Sequence, residues 1–194
     1  QTSIDGASPF ISPQIVKLIR MAKTDVLALR MEGTYLTYPK WRLSPRKCKI
    51  NLKFIKVLDK DELSNYTDEE IYNLVTASIN VNEYQDQLTR KRLIKSKSIA
   101  SGLEGVLVKC PKCGDTHSYK TDKDILTCTT CDNQLKVNEF GLFEKVKDSD
   151  VIFNNLPDWY NWQKEELRKQ LDTFEISQNV ILQSNIKTIN SLED

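Results

Sequence analysis

The first sixty residues alternate between helical and extended patterns of hydrophobic side chains. Apolar residues recur every three or four positions over 13–23, directly after a Ser-Pro start signal, and this spacing predicts a helix. The apolar run over 26–29 predicts a buried strand that enters a turn at Gly33. Residues 50–55 alternate between apolar and polar side chains, which predicts a second strand.

Two more helices are predicted before residue 98. Thr67 and Glu70 have the spacing of a capping box, and a helical apolar face follows them. A further helical stretch is predicted over about 82–97, with the basic run 90–97 on its solvated face. The order helix, strand, strand, helix, helix is typical of an α/β fold.

Two Cys-x-x-Cys pairs, separated by fourteen residues, carry the clearest chemical signal in the chain. Two thiolates at this spacing in a tight turn can reach one tetrahedral metal ion. Short strands are predicted between and after the pairs, at 117–120, 125–127 and 134–138. Unrelated cysteines or two disulfides are the alternative, and the paired spacing favours the metal. The pattern predicts a zinc ribbon in which four thiolates hold a structural Zn²⁺: Cys110, Cys113, Cys128 and Cys131.

The last region has one strong helical pattern, over about 157–171. One face of this helix is predicted to be lined by four residues: Tyr160, Lys164, Leu167 and Leu171. Trp159 and Trp162 lie beside that face, and aromatic residues at this spacing are typical of a core or of a contact between domains.

The composition is that of an ordinary globular protein. The chain has 194 residues, of which 39% are hydrophobic and 28% charged. That is enough apolar material for a core, and it excludes a disordered tail, a collagen-like fibre and a disulfide miniprotein. No apolar run approaches the roughly 18 residues of a membrane-spanning helix. We predict three regions: 1–98, 99–145 and 146–194.

Charge is balanced over the whole chain but not along it. The total is 28 Lys and Arg against 27 Asp and Glu, a formal net charge of +1. Residues 1–58 hold eleven basic and three acidic residues, whereas 110–194 hold ten basic and fifteen acidic residues. A basic first third suits an anionic partner, such as a phosphate, a nucleic acid or an acidic membrane surface, although a solvated basic face is equally consistent.

Several short motifs follow one another in an order that is specific, although each is weak alone. In chain order they are Gln1-Thr2-Ser3-Ile4-Asp5-Gly6, the helix 13–23, the strand 26–29, Gly33-Thr34-Tyr35-Leu36, Pro39-Lys40-Trp41, the basic strand 46–50 and Glu69-Glu70-Ile71. In this order the chain resembles the bacterial 1-acylglycerol-3-phosphate (lysophosphatidate) acyltransferases. Some relatives continue with a Glu-Gly-Val-Leu segment, a zinc ribbon and an Asp-Trp-Tyr-x-Trp helix, here 104–107, the cysteine pairs and 158–162.

The resemblance implies the C-terminal part of a glycerolipid acyltransferase-like α/β fold, followed by a small β zinc ribbon and a C-terminal helix. The chain begins on Gln1, so we expect a piece of a longer protein. In the family a catalytic His-x4-Asp and a Phe-Pro-Glu-Gly segment precede the position of residue 1. The histidine is a general base that deprotonates the acceptor hydroxyl. His117 and Asp122 share the spacing but lie between the cysteine pairs, so we do not predict them to be catalytic.

The implied reaction transfers an acyl chain from acyl-CoA or acyl carrier protein to lysophosphatidate in phospholipid synthesis, and this chain alone is expected to be inactive. Substrate contacts are implied for five residues: Gln1, Thr2, Ser3, Arg42 and Arg46. The implied location is cytoplasmic, at the inner face of the cell membrane, with the anionic membrane surface as a partner.

Two alternatives to an active acyltransferase stay open at this point. One is a zinc-ribbon module that binds nucleic acid or protein, with the basic first third as its electrostatic footprint. The acidic balance of 110–194 disfavours nucleic acid. The other is a catalytically dead, acyltransferase-like scaffold.

Overall fold

The computed structural model describes residues 3–172, which form a mixed α/β fold with two small sheets and a C-terminal helix. The first part contains α1 (Ile15–Ala22), β1 (Val26–Glu32), α2 (Thr34–Thr37), β2 (Asn51–Leu58), a 3₁₀ helix (Lys60–Asn65), α3 (Asp68–Ile79) and α4 (Glu83–Arg90). The second contains a 3₁₀ turn (Leu103–Gly105), β3 (Tyr119–Asp122), β4 (Ile125–Cys128), β5 (Gln134–Val137), β6 (Phe143–Lys145) and α5 (Leu156–Asp172). Among the described residues, no helix is both long enough and apolar enough to cross a bilayer.

The first sheet is an antiparallel pair of β1 and β2, with Leu29 opposite Phe54. Helix α3 packs on one face of this pair, and the capping box predicted at its start is present, with both reciprocal hydrogen bonds between Thr67 and Glu70. A small core forms there from buried apolar side chains: Val16, Leu58, Leu63, Ile71 and Val75. The two predicted strands are therefore confirmed, as are the helices predicted over 13–23 and after the capping box at Thr67. The burial predicted for the strand over 26–29 is wrong, because Leu27 and Leu29 are 66% and 41% exposed.

The helix predicted over 82–97 is wrong beyond Arg90. Lys91 takes the left-handed conformation (φ 45°) and ends α4. The amide side chain of Gln87 then holds the next residue, because it accepts from the Arg92 N–H (3.0 Å) and donates to the Arg92 carbonyl (2.9 Å). Beyond this point the chain is no longer helical, and the backbone N–H of Ile94 donates to the carbonyl of Glu139 at 2.8 Å. The basic run therefore connects the two parts of the fold and does not form a helix face.

The second sheet is an antiparallel meander in the order β3-β4-β5-β6. The three strands predicted around the cysteines are present, but the first begins at Tyr119 and not at His117. His117 is exposed and left-handed (φ 60°), which takes it out of the strand. The fourth strand, Phe143–Lys145, was not predicted because three residues are too few to show alternation.

Helix α5 is present, and the core position that is typical of aromatic residues at this spacing is confirmed for Trp159, which is 1% exposed; the neighbouring face of Leu167 and Leu171 is not the buried one. Leu167 and Leu171 are 55% and 62% exposed, whereas Leu156, Trp159 and Gln163 are buried. The packing of the Trp159 ring determines which face of α5 is buried. The ring lies between aromatic side chains of the second part, in edge or tilted contact with Tyr119, Phe143 and Phe153. Residues 173–194 of the predicted third region lie outside the described residues.

One main core extends through both parts of the chain, and the boundary predicted at residue 98 passes through it. Its buried members are Tyr35, Leu36, Tyr84, Ile94, Ile99, Ala100, Leu103, Leu107, Cys110, Tyr119, Leu126, Cys128, Leu135, Val137, Phe143, Leu156 and Trp159. Two of the cysteines thus pack in the same core as α2 and α4.

Replacing Gly102 with alanine is expected to destabilise the fold by about 3 kcal/mol. The residue has φ +96°, and an added Cβ would lie 2.2 Å from the backbone oxygen of Trp41, so backbone must shift where the two parts meet. Urea denaturation measures this cost. Gly105→Ala is the matched control, because nothing lies within 4 Å of its Cβ position. Equal stability of the two variants would contradict the close approach.

Candidate functional site

The first cysteine pair lies in a tight turn that the backbone itself holds closed. The N–H of Cys110 donates to the carbonyl of Asp115, and the N–H of Gly114 donates to the carbonyl of Cys110, both at 2.9 Å. Gly114 has φ 77°, the left-handed conformation that a glycine adopts without steric cost. The turn directs Cys110 and Cys113 to the same side.

The second pair repeats this arrangement. The N–H of Cys128 donates to the carbonyl of Asn133, and the N–H of Asp132 donates to the carbonyl of Cys128, again both at 2.9 Å. Asp132 (φ 55°) takes the left-handed position that Gly114 has in the first turn, and aspartate is among the residues that tolerate it. Two equivalent turns therefore present two thiols each.

The four sulfurs form a compact cluster that is able to hold a metal ion. All of them lie within 4.8 Å of one another. The distance is 3.7 Å between the sulfurs of Cys110 and Cys131, and 3.8 Å between those of Cys113 and Cys128. A tetrahedral ion with Zn–S bonds of about 2.3 Å requires sulfurs about 3.8 Å apart. The predicted ligand set is thus brought together at distances that suit zinc.

The thiols differ in how readily they ionise. Burial opposes ionisation of Cys110, but the Tyr119 hydroxyl and the backbone amides of its turn lower its pKa to about 7. Burial and the neighbouring sulfurs raise the pKa of Cys131 to about 12, and burial also raises the pKa of Cys128. Four thiolates this close repel one another unless a cation lies between them, so the cluster suits a divalent metal.

A buried hydroxyl beside the cluster fits the same interpretation. The Tyr119 oxygen is buried, and no other atom of residues 3–172 lies within normal hydrogen-bond distance of it. Its nearest electrostatic neighbour is Cys110, which raises the pKa of Tyr119 further than burial alone does. A metal-bound thiolate is an acceptor for such a donor, and outer hydrogen bonds of this kind orient metal ligands. The described residues therefore fit a metal ion.

Asp115 joins the two cysteine turns. Its carboxylate accepts hydrogen bonds from the Ser118 hydroxyl (2.6 Å), the Thr116 N–H (2.8 Å) and the Thr130 hydroxyl of the opposite turn. These bonds hold the pKa of Asp115 below its usual range. The carbonyl of Ser118 also accepts from the Thr129 N–H at 2.7 Å. The geometry of the cluster thus has support from side chains as well as from the backbone.

Helix α5 holds the segment that leads into the first cysteine turn. Gln163 donates to the carbonyl of Val106 (2.6 Å) and accepts from the N–H of Val108 (3.1 Å). The Trp159 indole donates to the carbonyl of Lys109 at 3.1 Å. The role of Gln163 was not predicted; the signal for it is its position four residues after Trp159, on the same helix face.

Arg42, predicted to contact substrate, is buried. One nitrogen of its guanidinium donates to the carbonyls of Ser98 (2.7 Å), Ile99 (3.2 Å) and Ser101 (3.1 Å). Arg42 thus fastens the segment before the ribbon to the loop after α2. Its substrate contact stays a prediction, and in the structure Arg42 is a buried residue that packs against these backbone carbonyls.

Arg46 is buried in the same region. Its Nε donates to the Leu36 carbonyl at 2.9 Å, and its guanidinium lies 5.3 Å from the centre of the Trp41 ring. Burial lowers its pKa to about 10. Its predicted substrate contact also stays a prediction.

Arg42→Ala is expected to lower the free energy of unfolding by about 2–3 kcal/mol, because it leaves buried carbonyls without a donor. Arg42→Lys is expected to recover only part of this, since an ammonium on a flexible stem does not reproduce the planar donor group. Chemical denaturation measures both. Arg168→Ala is the control, because its ion pair with Glu165 is largely exposed and contributes little. Unchanged stability of Arg42→Ala would contradict the packing role.

Of the predicted N-terminal substrate residues, Ser3 lines a cavity, while Gln1 and Thr2 lie outside the described residues. The cavity has a volume of about 260 Å³. Its lining comes from residues 3–11, β1, α2 and the approach to α4: Ser3, Gly6, Ala7, Ser8, Pro9, Ile11, Leu29, Met31, Thr34, Tyr35, Ile79, Val81 and Glu83. Leu29 and Met31 are 41% and 48% exposed, so the cavity opens to solvent along β1.

Two carboxylates that the sequence analysis did not single out lie near this cavity. Glu83 is 2% exposed, and its Oε1 accepts from the Gly33 N–H at 2.5 Å. Burial raises the pKa of Glu83. Glu32 is fully buried, and although burial opposes its ionisation, Arg90 and Lys53 lower its pKa. Arg92 lies between them, 3.0 Å from Glu32 and 3.7 Å from Glu83.

Comparison of the chain with protein-family models, with curated proteins and with solved structures gave no match.

Proposed function

We propose that this chain is the C-terminal part of a lysophosphatidate acyltransferase whose four-cysteine cluster binds a structural Zn²⁺. The observation that carries the acyltransferase proposal is the cavity next to Ser3. The resemblance predicts that Gln1, Thr2 and Ser3 contact the acceptor. Of these three, the structure describes Ser3, and Ser3 lines an open, largely apolar cavity. A second motif of the resemblance contributes Thr34 and Tyr35 to the same wall.

The size of the cavity suits part of an acceptor. Cavities that enclose a whole drug-sized ligand have volumes of about 300–1,000 Å³. At about 260 Å³ this one accommodates a glycerol group and a few carbons of a chain, and the remaining chain lies along the exposed apolar side of β1. In the intact protein the general base is supplied by the His-x4-Asp that the resemblance places before residue 1.

The zinc proposal depends on the ligand set. Four cysteine sulfurs at tetrahedral spacing are typical of structural zinc sites, whereas catalytic zinc keeps one position open for water or substrate. Two of the four, Cys110 and Cys128, are fully buried in the main core. We therefore assign the metal to folding and not to acyl transfer.

Amide hydrogen exchange with lysophosphatidate tests the acceptor site on the chain as it is. Bound lysophosphatidate is expected to slow exchange at residues 3–11 and 29–35, because backbone that lines an occupied cavity opens less often. sn-Glycerol 3-phosphate is the control for the headgroup alone, and weaker protection is expected from it. Unchanged exchange at the cavity, or protection confined to 110–131, would contradict the proposal.

A further inference from the structure

The face of the first sheet that points away from α3 is apolar and exposed. Side chains alternate between the two faces of a strand, and the register of the pair places Leu29 opposite Phe54 and Met31 opposite Leu52. Five large apolar side chains, each 41–79% exposed, therefore form what we call the outer face: Leu27, Leu29, Met31, Leu52 and Phe54. A contiguous exposed apolar patch of this kind marks an interaction surface.

The opposite face of the same sheet is covered although it is less apolar. Helix α3 packs against this sheet, and the buried residues of β1 on the covered side are Ala28 and Glu32. The Glu32 carboxylate is buried together with its ion-pair partners Arg90 and Arg92. In a complete domain the more apolar face of a sheet packs against another layer. The outer face therefore requires a covering layer that residues 3–172 do not supply.

The start of the described chain lies beside the outer face. Ser3 and residues 6–9 line the same cavity as Leu29 and Met31. A polypeptide that precedes residue 1 is therefore attached within a few residues of this face. Such an attachment gives an effective concentration of the order of millimolar, which a second copy of the chain has to match in solution. The path of the chain thus favours an occupant from the same polypeptide.

The charge on the outer face does not favour an anionic membrane as the occupant. Among the described residues of β1 and β2, the alternation places one charged side chain there, Lys56, opposite Leu27. Its ammonium is paired with Asp25 at 3.1 Å and with Asp59 at 2.6 Å. These acids offset the positive charge that would otherwise attract anionic lipids.

The proposed reaction also requires a partner on this side of the sheet. In the proposed function the general base comes from the part of the protein before residue 1, and it has to approach the acceptor hydroxyl to about 2.6–3.2 Å. The cavity opens to solvent along β1, at Leu29 and Met31. A base that reaches into the cavity enters from this side, so the part that carries it lies over the outer face.

We propose that the outer face is the docking surface for the part of the same protein that precedes residue 1. The inference rests on the proposed function, and it adds the surface on which the two parts meet. The docked part presents an apolar layer to Leu52 and Phe54 and closes the open side of the cavity.

Thermal unfolding of two proteins tests the docking surface: this chain, and the protein encoded by the complete reading frame that contains it. Phe54→Ala is expected to lower the unfolding midpoint of the complete protein by about 10 °C, the effect of truncating a buried phenylalanine. In this chain, where Phe54 is 79% exposed, the expected shift is below about 2 °C. Phe54→Leu is expected to shift the complete protein by about 4 °C, and it keeps the test open if Phe54→Ala fails to fold.

Leu167→Ala is the matched control, because Leu167 is an exposed apolar residue of α5 and is expected to shift both proteins by less than about 2 °C. A small shift from Phe54→Ala in both proteins, or a reading frame that begins at residue 1, would overturn the proposal. Equal large shifts in both would also overturn it, because the cover would then belong to this chain. A complete protein that light scattering shows to be a dimer, and that Phe54→Ala converts to a monomer, would identify a second copy as the occupant and overturn the proposal.

The result is distinguishable from a failure of the acyltransferase proposal, because the exposed face and the path of the chain do not depend on the reaction. A large shift that is confined to the complete protein, without formation of phosphatidate, removes the acyltransferase and keeps the docking surface. Formation of phosphatidate with a small shift from Phe54→Ala in the complete protein removes the docking surface and keeps the acyltransferase.

Discussion

Cys128→Ser is expected to abolish metal binding and to unfold more than the ribbon. Structural zinc sites of small modules contribute about 10–16 kcal/mol at neutral pH. This is as large as the whole stability of a typical domain, about 5–15 kcal/mol. The Cys128 side chain is fully buried in the main core, which it shares with Tyr35 and Tyr84 of the first part. Loss of the metal therefore exposes core surface on both sides of residue 98.

Native mass spectrometry and hydrogen exchange measure this together. We expect one zinc per parent chain and none per Cys128→Ser chain, with faster exchange in the variant at 35–48 as well as at 105–145. Cys48→Ser is the matched control, because this fifth cysteine lies outside the cluster. The Cys48→Ser protein is therefore expected to bind one zinc, like the parent chain. A variant that binds zinc normally, or that loses protection only within 105–145, would contradict the shared core.

Trp159→Ala is expected to cost about 3–5 kcal/mol, the range for removing a large aromatic side chain from a core. The ring is 1% exposed, lies against three aromatic side chains, and its N–H satisfies the Lys109 carbonyl beside the first cysteine turn. Trp159→Phe is expected to recover much of the packing but not the hydrogen bond, at a cost of about 1–2 kcal/mol.

Urea denaturation of both variants gives these costs. Leu167→Ala on the same helix is the control, because Leu167 is 55% exposed and its removal is expected to cost less than about 1 kcal/mol. This comparison also tests which face of α5 is docked. A larger loss from Leu167→Ala than from Trp159→Ala would mean that the face with Leu167 is the docked one, and would contradict the structure.

Local signals predicted the parts of the fold that depend on near neighbours in the chain. The capping box at Thr67 and Glu70 joins residues three apart, and each cysteine turn closes within six residues, so the sequence alone was sufficient for both. The apolar patterns also predicted where β1 and β2 lie in the sequence, although not that the two strands pair.

Contacts between distant residues decided what the sequence did not predict. The end of α4 depends on Gln87, whose amide also donates to the carbonyl of Phe140, fifty-three residues away. The docked face of α5 depends on aromatic partners in the second sheet. In both places the tertiary fit outweighs a helical pattern that is locally reasonable.

In the candidate site, too, the sequence predicted the residues that act with near neighbours and not those that act with distant ones. The four metal ligands were predicted from their spacing, and the structure brings them together. The roles of Glu83 and Arg42 were not predicted, because each depends on backbone groups about fifty residues or more away, Gly33 for Glu83 and Ser98 to Ser101 for Arg42. A buried charged residue carries no sequence signal that distinguishes it from an exposed one.

The most direct test of the central proposal is acyl transfer by the protein encoded by the complete reading frame that contains this chain. With radiolabelled acyl-CoA or acyl carrier protein and lysophosphatidate, we expect phosphatidate to form, and we expect activity to be lost when the histidine of an upstream His-x4-Asp is replaced by alanine. If no phosphatidate forms with either donor although the protein is folded and contains zinc, the acyltransferase proposal is wrong.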